Sequence, residues 1–261
     1  TRHGKVTSPG WIVLPLACAG EFIVVLDLSV GNVALPSIQR ALALSASDLP
    51  WVVNSYALVF AGFLLVGGRL ADLYGRRRVF LTGLALFTVA SLVGGLAGSG
   101  AWLIAARAVQ GLGAAVLTPA TVTLLTTYFP EGPRRTKALA MWAAVASAGG
   151  TAGNLAGGVL TEDLSWRSTL LVNVPIGVGL LAMGVRWLVG DRVGNRSRGI
   201  DLPGAVLATA GLASLTFGIS RVETHGGGAP VTLLSVALGL VALVAFALME
   251  ARIADAPLLP P

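Results

Sequence analysis

The sequence GRLADLYGRRR, residues 68–78, separates two long apolar stretches of the chain. A simple connection between two membrane helices needs only a few polar residues, whereas this one combines glycines, a carboxylate and a run of arginines. Gly68 would permit close helix approach, and Gly75 suits a turn residue with positive φ. Asp72 would end a helix within reach of Arg76. We therefore expect a tight helical hairpin that is locked by charge.

The composition of the 261-residue chain, 55% hydrophobic and 11% charged, excludes a soluble globular domain. We therefore expect the chain to lie in a lipid bilayer. The net charge of +6 does not indicate a nucleic-acid partner, because the basic residues fall in short loops. The single cysteine, Cys18, excludes a disulfide framework and a cysteine-based metal site.

Runs of about 20 apolar residues predict eight membrane-spanning helices. They lie at roughly 11–35, 49–71, 79–98, 102–126, 137–160, 169–190, 202–221 and 230–250. A signal peptide is the alternative for the first span, but this apolar run is longer than the ~7 to 15 residues of a signal peptide. When the predicted spans alternate in direction, most of the 18 Lys and Arg residues lie on the same side of the membrane as residues 68–78. This asymmetry predicts a multi-pass plasma-membrane protein with both termini in the cytoplasm.

A polar, charged segment at 192–199 is the one candidate linker in the sequence. It predicts a six-helix unit at 1–191, a cytoplasmic linker, two further helices within 200–252 and a truncated C-terminal tail at 253–261.

Ionisable side chains within the predicted spans are the strongest functional candidates, because each costs ~2.5 to 3.5 kcal/mol or more in a bilayer. Asp27 is expected to bind a proton; alternatively, it reaches water or caps a helix break before Pro36. Arg107 lies at a similar depth, so Asp27 is its expected partner, and snorkelling to the outer interface is the alternative. Glu21 either lines a substrate cavity that favours cations or hydrogen-bonds a neighbouring helix.

Glycines of the fifth span recur at steps of four, at Gly149, Gly153 and Gly157, with Gly150 and Gly158 beside them. This spacing predicts a flat face for close helix packing.

Four segments carry a resemblance to a known family. Residues 68–78 resemble the GxLADxxGRR loop motif of the major facilitator superfamily, between its second and third helices. LDLSVGNVALP, residues 26–36, resembles the first-helix signature of the fourteen-span drug:proton antiporters, the EmrB/QacA type. RAVQGLGAA, residues 107–115, is similar to the superfamily's fourth-helix motif. Residues 166–177, which contain WR and NVPIG, resemble the sixth-helix entry of the same group.

The last two predicted spans resemble the two extra helices that lie between the halves of those fourteen-span transporters. IDLPG, residues 200–204, opens the first of them, and Glu250 with PLL at 257–259 closes the second. The resemblance implies an all-α polytopic fold, with an N-terminal six-helix bundle of two inverted three-helix repeats plus two helices. It also implies a C-terminal six-helix half, as a partner, beyond these residues.

The resemblance further implies proton-coupled export of drugs or other hydrophobic or cationic small molecules. Such a protein is not an enzyme, and it uses the proton gradient without a cofactor or metal. Asp27 and Arg107 would couple protons, and the candidates for the substrate cavity are Glu21, Asn32, Gln110 and Asn154. The residues of a conformational latch against the other half would be Gly68, Asp72, Gly75, Arg76 and Arg77. The alternative for these arginines is a plain topology signal.

Asn154 departs from the antiporter pattern GPxxGG, since residues 153–158 have the sequence GNLAGG. Its amide would face the cavity or cross-link two helices. A non-transporting membrane interaction module, or a relic half-transporter, is the alternative function, because alternating access needs two halves. A membrane-embedded enzyme is disfavoured, because the sequence has no nucleophile elbow or phosphate-binding loop.

Overall fold

The computed structural model describes residues 10–189, 202–225 and 229–252. The helices within these ranges are α1 (Gly10–Leu42), α2 (Trp51–Tyr74), α3 (Arg76–Gly95), α4 (Gly100–Tyr128), α5 (Pro133–Asp163), α6 (Trp166–Leu171), α7 (Asn173–Trp187), α8 (Leu202–His225) and α9 (Pro230–Arg252). Each predicted span overlaps a helix, and the sixth is divided between α6 and α7. The predicted linker at 192–199 and tail at 253–261 lie outside the described residues.

Five segments of the described chain are long and apolar enough to cross a membrane. They are Trp11–Leu42, Arg76–Gly95, Gly100–Tyr128, Trp166–Trp187 and Pro230–Met249. Shorter apolar helices cover Trp51–Leu64 and Val206–Ile219, within α2 and α8. The remaining predicted span is α5, which is 31 residues long but rich in alanine and glycine. The all-α polytopic fold is therefore confirmed.

Two helix boundaries near prolines differ from the sequence-based expectation. The first helix does not end at residue 35, since α1 continues through Pro36 to Leu42. Arg40 donates a hydrogen bond from Nε to the Pro36 carbonyl, at 3.3 Å, and places a positive charge in the last turn of α1. The sixth span is interrupted only at Val172, which keeps a helical φ of −61° and ψ of −29°, because Pro175 lacks the N–H that the Leu171 carbonyl would otherwise bind.

The helix α4 is the centre of the packing, with α2 and α3 against it, while α1 packs against α5. Glycines allow backbone contact at these crossings. A Cβ atom at Gly67 would overlap the Ala115 carbonyl, and one at Gly111 would overlap the Tyr56 carbonyl. By contrast, a Cβ at Gly68 would lie 3.8 Å from the Pro119 side chain, an ordinary contact. The expectation of close helix approach at Gly68 is therefore wrong, and Gly67, one residue earlier, has that role.

The glycine face of α5 lies directly against α1. A Cβ atom at Gly149 would be 2.9 Å from the Phe22 carbonyl oxygen, and one at Gly153 would be 2.6 Å from that of Leu26. Gly157 follows on the same face, against Val30 and Val33 of α1.

Gly158 does not belong to this packing face, contrary to the expectation from sequence. Nothing lies within 4 Å of a Cβ atom built there, because a step of one residue turns the side chain ~100° around the helix.

Replacing Gly111 with alanine should destabilise the bundle by about 1 to 3 kcal/mol, because the added methyl group meets the backbone of α2 at Tyr56. The matched control is Gly179→Ala in α7, where nothing lies within 4 Å of the added Cβ atom. That control should be neutral or slightly stabilising, since alanine favours a helix over glycine by ~1 kcal/mol. Thermal unfolding of both purified variants in detergent measures the difference. Equal midpoints for the two would contradict the proposed close contact.

Candidate functional site

A buried ion pair joins α1 to α4. Nη1 of Arg107 lies 2.5 Å from Oδ2 of Asp27, and the two side chains are 2% and 0% exposed. The structure thus brings together the two side chains whose depths match in the sequence. Snorkelling of Arg107 does not occur, because its guanidinium is turned into the bundle. Asp27 neither reaches water nor caps a helix break, since α1 runs unbroken past it.

The second carboxylate oxygen of Asp27 accepts two hydrogen bonds from amide side chains. Nε2 of Gln110 lies 2.9 Å from Oδ1, and Nδ2 of Asn173 lies 2.7 Å from it. Gln110 also accepts a hydrogen bond from Nη1 of Arg107, at 2.8 Å, because residues three apart share a face of α4. Gln110 is only 1% exposed. It therefore belongs to the ion-pair network in this conformation, and its assignment to a substrate cavity stays a prediction.

Arg107 is held from its other side by α2. Its Nε donates to the Val52 carbonyl at 3.2 Å, and its guanidinium carbon lies 4.4 Å from the centre of the Tyr56 ring. A cation over an aromatic face is stabilised by the ring quadrupole. Arg107 Nη2 and the Tyr56 hydroxyl have no hydrogen-bond partner within the described ranges. The guanidinium therefore has neighbours other than Asp27, and its Nη2 can still donate a hydrogen bond.

Asn173 is a site residue that the sequence-based candidates did not include. It begins α7 directly after the break at Val172, and its Nδ2 also lies 3.1 Å from Oγ of Ser91. Ser91 in turn donates to the Leu170 carbonyl at 2.8 Å. The available signal was a polar side chain within an apolar span, because polar residues in a membrane span usually face the interior of the bundle and have a function.

Arg107 has uncharged neighbours besides Asp27, namely Gln110 Oε1, the Val52 carbonyl and the Tyr56 ring. These groups contact the guanidinium but do not replace the negative charge of the carboxylate. Breaking a buried ion pair by removing one partner typically costs about 3 to 5 kcal/mol. Helices α1, α2, α4 and α7 all contribute to this site, so a change at Asp27 affects contacts among four helices.

Glu21 is also buried, at 6% exposed, on the same helix as Asp27. Thr118 of α4 faces its carboxyl group. Neither Glu21 Oε2 nor Thr118 Oγ1 completes a hydrogen bond with another described residue. Both alternatives for Glu21, a contact to the neighbouring helix α4 and a role in substrate binding, therefore stay predictions.

The two asparagine candidates lie apart from the ion pair. Asn32 is exposed on α1, and its Nδ2 donates to the Leu28 carbonyl of the same helix at 3.0 Å. Asn154 is exposed on α5, beside the glycine face. Their assignment to a substrate cavity stays a prediction.

The hairpin between α2 and α3 turns at a single residue, Gly75, whose φ of +90° lies in the region that favours glycine. We call this end of the bundle the arginine end, defined by Tyr74, Gly75 and Arg76. Arg77 donates from Nη2 to the Val185 carbonyl in the last turn of α7, at 2.9 Å. The Asp72 side chain lies outside the described set. Arg77 thus has a partner inside the bundle, and the latch against another half stays a prediction.

Within residues 10–189, 202–225 and 229–252, no group of three His, Cys, Asp or Glu side chains is placed to hold a metal ion.

Known proteins resemble this chain along nearly all of its length. The family described as Major Facilitator Superfamily matches residues 17–257. The cephamycin export protein CmcT of Amycolatopsis lactamdurans is 59% identical over 100% of this chain and 54% of its own length. The puromycin resistance protein pur8 of Streptomyces alboniger is 45% identical over 96% of this chain and 49% of its own. The chain thus spans about half the length of these curated relatives.

A solved structure resembles the fold at low sequence identity. The crystal structure of the peptide transporter POT in complex with sulfate superposes with a TM-score of 0.69 and 17% identity, over 95% of this chain and 55% of that one. At this identity the likeness concerns the fold alone. Together with the family match, it identifies the class of the chain: it belongs to the Major Facilitator Superfamily, a family of membrane transporters and not of enzymes.

Proposed function

We propose that this chain is part of a proton-driven exporter of small-molecule antibiotics. The observation that carries the proposal is the buried pair of Asp27 and Arg107, with both oxygens of the carboxylate bound by side chains of α4 and α7. A membrane protein keeps such a pair at high cost, and intramembrane ionisable groups mark ion and proton pathways.

In the proposed cycle, the transported proton binds the Asp27 carboxylate and weakens its attraction to Arg107. The guanidinium then relies on Gln110 Oε1, the Val52 carbonyl and the Tyr56 ring. Because these groups lie on α4 and α2, the proton shifts the balance of contacts among helices. Release of the proton restores the ion pair. The transporter alternates between a state open to the cytoplasm and a state open to the outside. Because the proton binds these two states with different affinity, its binding and release shift the equilibrium between them.

Relatives that share most of this chain carry names that indicate the substrate class. One is named for cephamycin export, one for puromycin resistance, and the tetracenomycin C resistance and export protein of Streptomyces glaucescens is 34% identical over 96% of this chain. We therefore propose antibiotics as substrates, with a cephamycin as the first compound to test. Glu21, Asn32 and Asn154 remain the candidates for contacting the substrate.

Alternating access requires two bundles around a central site, so we propose that a second six-helix half completes the transporter. The curated relatives, which are about twice as long as this chain, support that proposal. We further propose the plasma membrane as the location, with both termini and the arginine end in the cytoplasm. The positive charges of Arg76, Arg77 and Arg78 support this orientation.

The test is transport into everted membrane vesicles from cells that express the complete reading frame encoding this chain. We expect a cephamycin to accumulate when the vesicle interior is acidified, and the accumulation to vanish when a protonophore collapses the gradient. Vesicles without the protein are the control. Accumulation that ignores the proton gradient would refute proton coupling. No transport of any of the three antibiotic classes would favour a membrane interaction module.

A further inference from the structure

A narrow crevice opens at the arginine end, between α2, α3 and α4. Its volume is about 270 Å³. The lining residues are Leu70, Tyr74, Arg78, Val79, Thr82 and Val116. This volume is below the ~300 to 1,000 Å³ of pockets for drug-sized ligands, so the crevice is too small to enclose such a ligand.

The interior of the crevice is apolar, and its positive charge lies at the rim. The Thr82 hydroxyl does not face a ligand, because it donates to the Arg78 carbonyl of its own helix at 2.9 Å. The Arg78 side chain is exposed and makes no hydrogen bond or ion pair with another described residue. Arg77, next to it, is already bound to the Val185 carbonyl. Arg78 is therefore the cation that can meet a ligand at this crevice.

Beyond the crevice, exposed apolar side chains lie along α3 and at the residue that follows it. Val89, Leu92 and Leu96 are 57%, 38% and 59% exposed, and they follow Thr82 at helical spacings toward the opposite end of the bundle. An extended hydrocarbon chain that enters beside Arg78 can therefore remain in contact with apolar side chains along α3. Such a face suits acyl chains, which lie parallel to the helices of a membrane protein.

We propose that this crevice binds an anionic phospholipid, with the phosphate at Arg78 and one acyl chain along Val79, Thr82 and Val116. Charge complementarity selects the anionic headgroup, since basic pockets between membrane helices bind such headgroups on the cytoplasmic side. The leaflet follows the proposed orientation of the arginine end. The site itself is independent of transport, so it can be present even if proton-driven export is refuted.

Native mass spectrometry of the purified, delipidated protein tests the site by titration with phosphatidylglycerol or phosphatidylcholine. We expect one phosphatidylglycerol to bind more tightly than phosphatidylcholine. Arg78→Gln should weaken phosphatidylglycerol binding roughly fivefold, by loss of one basic residue near the headgroup, while Arg78→Lys retains most of it. The matched control is Arg134→Gln, another exposed arginine at the same end of the bundle, which should change binding by less than about twofold.

A second variant separates the crevice from its charge. Thr82→Phe leaves Arg78 in place but fills the apolar channel, and it should also weaken phosphatidylglycerol binding. Inorganic phosphate alone should not displace the lipid, because the acyl chain contributes most of the buried apolar area. The proposal is overturned if Arg78→Gln and Arg134→Gln weaken binding equally, if Thr82→Phe binds as the unmodified protein does, or if both lipids bind alike. Thermal midpoints of the variants verify that each is folded.

Discussion

Asp27→Asn should abolish proton-driven export while the protein stays folded and still exchanges substrate across the membrane. Asparagine keeps the size of the side chain and an oxygen that can accept from Gln110 and Asn173, but it cannot take up a proton. Arg107 keeps the Gln110 oxygen and the Val52 carbonyl as acceptors. Arg107 does lose its counter-charge, so the variant should also unfold at a lower temperature, and the retained exchange of substrate shows that it is still folded.

The measurement compares two assays on the same vesicles: accumulation driven by a pH gradient, and exchange of labelled for unlabelled substrate without a gradient. For Asp27→Asn we expect the first to fall to background and the second to persist. Asp48→Asn, at an exposed carboxylate in the connection between α1 and α2, is the matched control and should keep both activities. Normal gradient-driven accumulation by Asp27→Asn would show that Asp27 is not the coupling carboxylate.

The helices and the central ion pair could be predicted from the sequence because both follow from numbers of residues counted along the chain. A run of apolar residues sets the length of a span, and the rise per residue sets the depth of a side chain within it. Asp27 and Arg107 have matching depths, and each charge is costly without the other. Few carboxylates in the spans compete for Arg107, so depth alone was enough to choose its partner.

The remainder of the network could not be predicted, because it depends on rotation about helix axes. The sequence suggests Gln110 as a residue of the substrate cavity, and the orientation of α4 turns its amide onto Asp27. Asn173 reaches Asp27 from the first turn of α7. The sequence contains the asparagine, but not the rotation of α7 that turns its amide toward Asp27.

The same rotation explains the errors in helix packing. Neighbouring residues of a helix point ~100° apart, so a shift of one residue changes which glycine meets the next helix. Gly67 contacts α4 through its backbone, whereas Gly68 was expected to do so. In α5, Gly157 packs against α1 and the adjacent Gly158 does not. Glycines four residues apart lie on one face of a helix. Of two adjacent glycines, tertiary packing decides which one meets the neighbouring helix.

Arg107→Met should lower the free energy of unfolding by about 3 to 5 kcal/mol, because it leaves the Asp27 carboxylate buried without a cation. Methionine has a similar length but no donor, so the contacts to Val52 and Gln110 are lost as well. In detergent, the thermal midpoint should fall by roughly 5 to 15 °C. Arg40→Met, at an exposed arginine of α1, is the matched control and should change the midpoint little.

The double variant Asp27→Asn with Arg107→Met determines whether the effect comes from the ion pair or from lost packing. Removing both charges leaves no buried ion, and neutral replacements of buried pairs are often close to neutral in stability. We therefore expect the double variant to unfold at a higher temperature than Arg107→Met alone, with a coupling energy of about 1 to 3 kcal/mol between the two sites. If the two substitutions simply add, Arg107 stabilises the bundle through Tyr56 and Val52, and the attraction to Asp27 contributes little. In that case a proton on Asp27 would not move the guanidinium, and the coupling mechanism would lose its physical basis.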